Sequence, residues 1–345
     1  MSTTTGRRIL VTNAGSTTLK HAVLVVEPDG GLHVEQKPIT SALPANGVGE
    51  AAEELVATLS PDAVGHRVVH GGEHHTKPER VSLHLVASLR NLVELAPLHL
   101  PATIDQMVHL LAVAPELPQV ACFDTAFHAL MPERVRRFAL DARWYDAGIR
   151  RFGFHGLACE SVVEQLAPHV PARLVIAHLG GGASLTAVDR GISVRTTMGL
   201  TPTGGLPGAT RSGDLDPGVV LALVRALDGD LDAVERELDR TAGLLGLSGL
   251  SGDVATLEEL RAAGSTAALL ALNVFAEEVA RGIAAHAVTL RGLDCLVFSG
   301  GIGEHDERFR TDVMARLDGL TDQCEVRVVS VHEEQIIARA TAALL

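Results

Sequence analysis

The chain has 345 residues, enough for about two domains, and its 46% hydrophobic and 21% charged residues exclude an intrinsically disordered protein. Its 29 lysines and arginines against 42 acids give a net charge of −13, which argues against a nucleic-acid partner or an anionic membrane surface. The 4 cysteines form no C-x-x-C pair, and no apolar run is long enough to span a membrane. We therefore expect a cytoplasmic protein with reduced thiols.

Hydrophobic patterns predict strands and helices that alternate along the chain. Short apolar runs that end in polar or glycine-rich turns predict strands over 9–11, 22–26, 63–64, 119–123, 174–177, 183–188 and 295–298. Apolar residues at helical spacing predict helices over 50–59, 81–95, 217–227, 231–238, 266–290 and 332–344. Strands that alternate with helices indicate an α/β protein.

A strand, a polar turn and a second strand open the chain and recur later. The two copies begin at Ile9 and at Leu174, roughly 165 residues apart, which indicates two related domains. We expect the first domain to comprise residues 1–150 together with 331–345, and the second to comprise residues 151–330.

Three glycine-rich turns directly follow predicted strands and are candidates for binding phosphate. They span residues 13–18, 180–184 and 299–304, where backbone amides can approach an anion closely. None of the three lysines follows a glycine, so the chain has no P-loop, and it has neither a G-x-G-x-x-G nor a G-x-S-x-G motif. An ordinary turn would explain any one of the three, but their recurrence at strand ends favours an anion site.

Charged side chains occur among apolar residues close to other predicted strands. Arg67 lies in such a position, as do Asp124 and the arginines of residues 150–156, and Arg211 lies in a glycine-flanked loop. Guanidinium groups suit carboxylate or phosphate, and an aspartate between two of them would orient both. A surface ion pair or a loop charge would explain each of these residues equally well when it is taken alone. If they form one site, we expect Arg67 and Arg211 to converge on Asp124.

Nine motifs, in this order along the chain, make it resemble the acetate kinase family, which has the actin/Hsp70/sugar-kinase-like fold. They are NAGSTTLK (13–20), GHRVVHGGE (65–73), LAPLH (95–99), FDTAFH (123–128), RRFGFHG (150–156), HLGGG (178–182), TRSGDLDPG (210–218), GLSGLSGD (246–253) and GGIGE (300–304). The resemblance implies a two-domain, ribonuclease H-like duplicated α/β fold with an interdomain cleft for the nucleotide. It also implies a homodimer.

The resemblance further implies reversible transfer of the ATP γ-phosphoryl group to a short carboxylate, with Mg²⁺ or Mn²⁺. The implied catalytic residues are Arg67, Asp124, His155 and Arg211, and Arg67 would also bind the substrate in a pocket walled by Val69, Leu98, Phe154 and Pro202. The implied nucleotide-binding residues are Ser16, Thr18, Lys20, His178, Gly180, Gly182, Asp253, Gly301 and Gly303. The implied metal-associated residues are Asn13 and Glu333, with Glu334 as the alternative to Glu333. Because β-branched Val69 keeps the pocket small, we expect acetate to be preferred to propionate.

The chain departs from the usual pattern of the family at several positions. Gly181 stands where members usually carry Asn, and Leu100 and Thr103 replace two asparagines. Cys159 replaces a histidine, Gly204 replaces a glutamate, and stretches are missing before Gly65 and between Glu304 and Glu333. These departures leave two alternatives open. One is a kinase that uses pyrophosphate or a longer acid such as propionate or butyrate, and the other is a catalytically impaired nucleotide-binding regulator.

Overall fold

The computed structural model describes residues 6–15, 18–43 and 47–345. Its strands are β1 (Arg7–Ala14), β2 (Thr18–Val26), β3 (Leu32–Ala42), β4 (Ala63–Val68), β5 (Glu79–Arg80), β6 (Gln119–Phe123), β7 (Arg173–Leu179), β8 (Ala183–Asp189), β9 (Ile192–Thr196), β10 (Cys295–Ser299) and β11 (Glu325–Val328). Its helices are α1 (Val48–Leu59), α2 (Leu83–Arg90), α3 (Leu100–Val113), α4 (Glu133–Arg136), α5 (Ala142–Asp146), α6 (Gly156–Leu166), α7 (Pro217–Ala226), α8 (Leu231–Asp239), α9 (Gly243–Ser248), α10 (Val254–Ala262), α11 (Thr266–Leu290), α12 (Gly300–His305), α13 (Glu307–Ala315) and α14 (Glu333–Ala343).

The chain divides into two units, each built on one mixed sheet. The first unit comprises Met1–Ala129, Phe154–Ser161 and His332–Leu345, and the second comprises Leu130–Gly153 and Val162–Val331. Among the described residues, no helix is both long and apolar enough to cross a membrane.

The first unit packs helices on both faces of a six-stranded sheet of order β3-β2-β1-β4-β6-β5. Strand alternation explains this arrangement, because successive side chains point to opposite faces. On β1, Ile9 packs in a cluster with Ile336 and Ile337 of α14. The next residue, Leu10, packs in a different cluster with Leu110 of α3. Because both faces are covered, the central strands β4 and β6 are buried at almost every position.

The second unit is built on a five-stranded sheet of order β11-β10-β7-β8-β9. Its core helix is α11, whose 25 residues include eleven buried ones that repeat at helical spacing. Phe275 of α11 stacks on Phe309 of α13, with ring centroids 4.8 Å apart, inside this core. Ser265 begins α11, because its hydroxyl accepts a hydrogen bond from the amide of Ala268.

The two sheets share one strand pattern. In the first sheet β1 is antiparallel to β2 and parallel to β4, which is parallel to β6. In the second sheet β7 is antiparallel to β8 and parallel to β10, which is parallel to β11. The carboxyl ends of parallel strands meet at one edge of a sheet, where α/β proteins usually bind their ligands.

Most of the predicted helices and strands occur in the structure within a few residues, and the helix over 266–290 has the predicted limits. The sequence did not predict β3, β5, β9 and β11, nor α3–α6, α9 and α10. The predicted helix over 81–95 is interrupted, since α2 ends at Arg90 and a separate 3₁₀ turn follows at Val93–Leu95. The glycine-rich segment after β10 is not a turn that precedes a helix. Gly300 is itself the first residue of α12.

Candidate active site

Arg67 and Asp124 form a two-pronged ion pair at adjacent strand ends in the first unit. Nη2 of Arg67 donates to Oδ2 of Asp124 at 2.6 Å, and Nε donates to Oδ1 at 3.2 Å. The pair forms because β4 and β6 are parallel neighbours, and the amide of Asp124 continues the ladder by donating to the carbonyl of Val68. The Asp124 side chain is 1% exposed and that of Arg67 17% exposed. The carboxylate thus fixes the guanidinium, whose remaining edge can receive an anion.

Glu333 joins this pair from the start of α14. Its Oε2 lies 3.7 Å from Nε of Arg67. Both residues line a small cavity of the first unit together with Asn13, Lys20 and Glu334. Glu333 is the first residue of its helix, where a carboxylate is favoured by the helix dipole. The cavity therefore combines two positively charged side chains, Arg67 and Lys20, with carboxylate and amide oxygens.

Burial and charge act against each other in this cluster. Burial by itself lowers the pKa of Arg67, but the carboxylates of Asp124 and Glu333 outweigh it, so that pKa lies above its usual value. Burial raises the pKa of Asp124, Arg67 opposes this rise, and Glu333 adds to it. Arg67 therefore carries its charge at any working pH, and this charge favours the ionised form of Asp124.

The oxygen donors of the cavity fit Mg²⁺. Among the described ranges, no group of three or more His, Cys, Asp or Glu side chains could hold a metal by itself. Mg²⁺ does not need such a group, because it keeps several waters and is usually bound through one or two carboxylates and substrate phosphates. The amide of Asn13 and the carboxylate of Glu333 line one cavity and supply such hard oxygen atoms. Of the two glutamates, Glu333 is the one that contacts Arg67.

His155 lies in a sharp turn that packs on the backbone of Asp124. Its φ of 59° is in the left-handed region, which is unusual for a residue other than glycine. The amide of the next residue, Gly156, donates to the Asp124 carbonyl at 2.9 Å. A Cβ at Gly156 would lie 2.1 Å from that same oxygen, so only glycine fits there. The structure thus brings His155 into the neighbourhood of the Arg67–Asp124 pair.

Three of the four predicted acyl-pocket residues belong to the first unit. Val69 is 7% and Phe154 1% exposed, and Leu98 is partly buried just before α3. His70, beside Val69, packs edge-on against the Phe154 ring with centroids 5.3 Å apart. Pro202 belongs to the second unit and lies in a turn that is partly exposed.

The first predicted phosphate turn joins β1 to β2. Asn13 pairs with Lys20 across these strands, and the amide of Gly15 donates to the Thr18 carbonyl at 2.8 Å. Thr18 and Lys20 are exposed at the start of β2. Ser16 lies outside the described residues.

In the second unit, two glycine-rich segments meet at the ends of β7 and β10. His178 pairs with Ser299 across these parallel strands, and its Nδ1 lies 3.2 Å from the Ser299 hydroxyl. A Cβ on Gly180 would lie 3.9 Å from the amide nitrogen of Gly301. Gly300 has a φ of 75°, and a Cβ there would lie 2.6 Å from a carbonyl oxygen of β7. The predicted residues His178, Gly180, Gly182, Gly301 and Gly303 therefore share one edge of this sheet.

The loop that carries Arg211 packs on the same edge. The amide of Ala209 donates to the carbonyl of Gly181 at 3.1 Å, and the amide of Gly208 donates to the carbonyl of Arg211 at 3.0 Å. Gly243, with a φ of 60°, supports this loop from behind, because a Cβ would lie 2.2 Å from the Gly208 oxygen. Arg211 is thus held beside the second phosphate turn. Its convergence with Arg67 on Asp124 stays a prediction.

Asp253 begins α10. Its carboxylate accepts hydrogen bonds from the amide and the hydroxyl of Thr256, at 2.9 and 2.8 Å. These bonds hold the pKa of Asp253 below its usual value. The preceding residue, Gly252, packs on the Arg211 loop, since a Cβ would lie 2.6 Å from the carbonyl oxygen of Ala209.

The sequence did not assign two residues that organise these segments. His128 contacts the carbonyl of Phe154, next to His155, and Glu304 accepts hydrogen bonds from the amides of Gly300 and Val331. Both residues end motifs that carry the resemblance, FDTAFH and GGIGE. Their position in these motifs was the signal that could have identified them.

The departures from the family pattern differ in their surroundings. Gly181 has open space where a Cβ would point. Leu100 and Thr103, in contrast, are buried at 0% and 2% exposure on α3, so they replace polar asparagines within the core. Cys159 is also fully buried, on α6. Gly181 is therefore the departure at which a lost side chain could change ligand contacts without repacking.

Comparison with known proteins identifies the family. The model of the Acetokinase family matches residues 45–344. The chain is 37% identical to an acetate kinase of Nitrobacter hamburgensis, over 98% of this chain and 96% of the relative. A propionate kinase structure from Francisella tularensis superposes with a TM-score of 0.88 at 31% identity and covers 98% of this chain and 100% of that one.

A second structure agrees. An acetate kinase of Porphyromonas gingivalis superposes with a TM-score of 0.84 at 29% identity, over 98% of this chain and 99% of that one. These similarities confirm the predicted α/β kinase fold and the resemblance stated from the nine motifs. The chain belongs to the acetokinase family and is a kinase whose phosphoryl acceptor is a carboxyl group.

Proposed function

We propose that the protein is an acetate kinase, which transfers the γ-phosphoryl group of ATP to acetate and yields acetyl phosphate and ADP, reversibly. The observation that carries this proposal is the two-pronged Arg67–Asp124 pair, with Glu333 beside it, in a chain of the acetokinase family. A fixed guanidinium is suited to a substrate carboxylate and to a migrating phosphoryl group.

The chemistry requires positioning and charge neutralisation more than covalent participation. Acetate is ionised at neutral pH, so the attack needs no general base. In-line phosphoryl transfer spreads negative charge over three equatorial oxygens, which cationic groups and hydrogen-bond donors stabilise. Arg67 and Arg211 would neutralise this charge, and His155 would donate a hydrogen bond to one of the equatorial oxygens. Asp124 would keep the guanidinium of Arg67 in position.

The remaining predicted residues would hold the nucleotide and the metal. Asn13 and Glu333 would hold Mg²⁺ or Mn²⁺, and the metal would neutralise phosphate charge. The turns at Thr18–Lys20 and at Gly180–Gly182, together with His178, would contact the phosphates. The nucleotide would also contact Gly301 and Gly303 at the start of α12, and Asp253 at the start of α10.

The residues assigned to the acyl pocket favour acetate as the preferred acid. Val69 and Phe154 are both buried, and β-branched Val69 would narrow the space for a longer acid. One methylene is worth only about 1–3 kcal/mol of discrimination, so propionate would react more slowly rather than be excluded. Propionate kinase is the second candidate, because the Francisella tularensis structure that bears this name is 31% identical to the chain.

The proposed enzyme is a homodimer, and α7 offers the surface for it. None of the ten residues of α7, all of them described, is buried, although the helix reads PGVVLALVRA. Val219 is 44% and Leu221 54% exposed. Asp216 precedes the helix and Arg225 lies in its last turn, so a second copy packed antiparallel across a two-fold axis would bring opposite charges together at both ends.

Trapping of acyl phosphate as hydroxamate tests the function. We expect product with ATP, Mg²⁺ and acetate, less with propionate, little with butyrate and none with pyrophosphate as the donor. Arg211→Ala should abolish product without loss of nucleotide binding. Product from pyrophosphate, or faster turnover of the longer acids, would favour the alternative kinases. Tight binding of ATP without any hydroxamate would favour a regulatory protein.

A further inference from the structure

We propose that His128 is a positioning residue that holds His155 in its reactive orientation. The inference deepens the proposed function, on which it rests, because it assigns a role to a residue that contacts the turn of His155 rather than the substrate.

The backbone conformation of His155 needs support from its surroundings. Its φ of 59° places it in the left-handed region, which carries a free-energy cost for a residue with a side chain. The orientation of the imidazole depends on this conformation, because φ sets the direction in which the Cα–Cβ bond leaves the chain. Whatever fixes the two peptide groups around His155 therefore also aims its ring.

Both of these peptide groups are hydrogen-bonded to the segment that follows β6. The carbonyl of Phe154, before His155, lies 2.9 Å from Nε2 of His128. The amide of Gly156, after His155, donates to the carbonyl of Asp124 at 2.9 Å. One short stretch of chain therefore holds His155 from both sides, as a clamp. Asp124 binds the peptide group after His155, and His128 binds the peptide group before it.

His128 is suited to this task. A carbonyl oxygen can only accept, so the contact requires a proton on Nε2 of His128. The side chain is 1% exposed, and burial lowers its pKa to about 4, so the ring is neutral at working pH. Its backbone is fixed as well, because its amide donates to the carbonyl of Thr125 at 3.2 Å within the 3₁₀ turn Ala126–His128.

The arrangement joins two parts of the proposed machinery. The segment that begins with Asp124 orients Arg67 through a side chain, and it orients His155 through a backbone carbonyl and the His128 ring. The distance between the substrate-binding arginine and the histidine is therefore set by a five-residue stretch, in which Asp124 contacts Arg67 and His128 contacts the peptide group before His155.

A double-mutant cycle tests the inference. We expect His128→Leu, which cannot donate, to lower kcat about 10- to 100-fold and to change the KM values for acetate and ATP less than 3-fold. His128→Gln can donate through its amide and should recover most of the loss. In a His155→Ala background, His128→Leu should lower kcat less than 2-fold further. An equal loss in both backgrounds, or an unchanged kcat in His128→Leu, would overturn the inference.

Two further measurements distinguish a failure of the proposed function from a failure of the inference about His128. If His155→Ala alone retains full activity, the proposed role of His155 is wrong, and the clamp is then judged by NMR of histidine-labelled protein. The His155 ring signals should move in His128→Leu and stay in place in His128→Gln, and signals that stay in both variants would contradict the clamp. If His128→Leu does not fold, His128→Asn takes its place in the cycle, because it keeps a polar side chain that is too short to donate to the Phe154 carbonyl, and it should show the same dependence on His155.

Discussion

Arg67 and Asp124 depend on each other, because removal of either leaves a buried charge without its partner. We expect Arg67→Ala to lower kcat at least 100-fold and to destabilise the first unit by about 3 kcal/mol, the usual cost of breaking a buried pair. Arg67→Lys should keep part of the stability but little of the activity, because lysine lacks the fork that contacts both carboxylate oxygens.

The measurements are acyl phosphate formation and urea unfolding. Arg327→Ala is the matched control, since Arg327 also pairs through two nitrogens, with Glu325, but on the surface. A surface pair is worth about 0–1 kcal/mol, so this variant should resemble the wild type. Equal stability losses in both variants would contradict the importance assigned to the buried pair.

Gly181 permits a gain of function to be tested. Its Cβ would point into open space and its φ is not left-handed, so the position accepts a side chain without strain. If the turn binds phosphate, Gly181→Asn adds a donor, and one hydrogen bond is worth about 0.5–1.5 kcal/mol. We therefore expect kcat/KM for ATP to rise roughly 2- to 10-fold.

Gly181→Leu is the matched variant, because leucine has the shape of asparagine without its amide. It should bind ATP no better than the wild type does. Steady-state kinetics with ATP varied at saturating acetate measures both variants. An equal gain in both, or a loss in Gly181→Asn alone, would show that the turn does not lie beside the phosphates.

At the scale of elements, α10 separates a structural role of Asp253 from a nucleotide-binding one. Asparagine caps helices as well as aspartate does, whereas alanine does not, and loss of a cap costs about 1 kcal/mol. Asp253→Ala should therefore lower stability by about this amount, and Asp253→Asn should not. If the carboxylate also contacts the nucleotide, both variants should raise the KM for ATP. Thermal unfolding and steady-state kinetics together distinguish the two roles. An unchanged KM for ATP in both variants would mean that Asp253 only caps the helix.

The elements that the sequence predicted well are those whose pattern is local. Helix α11 has 25 residues in one amphipathic repeat, with a serine cap before it, so both its limits and its buried face could be predicted. Helix α3 was missed although Leu100, Ile104, Met107 and Leu110 repeat at helical spacing on its buried face, because exposed positions such as Ala112 and Val113 are also apolar and weaken the contrast between the two faces. The interruption after α2 depends on tertiary packing, which no local pattern reports.

The residues of the candidate site also differ in how far their positions could be predicted from local sequence. Arg67 and Asp124 could be paired from sequence because Arg67 lies near the end of β4 and Asp124 directly follows β6, and these strands are parallel neighbours. The left-handed backbone of His155 could not be predicted, since it follows from hydrogen bonds to residues about 30 positions earlier in the chain. The position of His128 at the end of the FDTAFH motif could have marked it as a candidate, but its contact with the Phe154 carbonyl could be seen only in the structure.

At the scale of the whole molecule, the exposed face of α7 makes the proposed dimer testable. We expect Leu221→Glu to yield monomers in light scattering, because a charge would be buried in each of the two copies of the interface. Val288→Glu is the control, since Val288 is 78% exposed on α11 and its charge would stay in water. Equal molar masses for both variants and the wild type would show that α7 is not the interface.

Burial lowers the pKa values of four buried histidines, and three of them, two in the first unit and one in the second, have the larger shifts and dominate the dependence of stability on pH; the fourth is His21. Burial lowers the pKa values of His66, His128 and His286 to about 4, whereas the unfolded chain binds these protons near pH 6.5. The stability they contribute is fully present above pH 6.5 and is lost as the pH falls towards 4. Asp124, whose pKa burial raises, acts in the opposite direction and offsets one histidine.

The unfolded state therefore binds about two more protons than the folded state near pH 5.5, so the free energy of unfolding should fall by about 2.5 kcal/mol per pH unit between pH 6 and 5. Urea titrations at these two pH values measure the slope. His286→Leu removes one titrating group and should reduce the slope by about 1.4 kcal/mol per pH unit, whereas exposed His169→Leu should leave it unchanged. A slope that is flat in the wild type, or equal in the two variants, would mean that these buried rings take up protons without unfolding the chain.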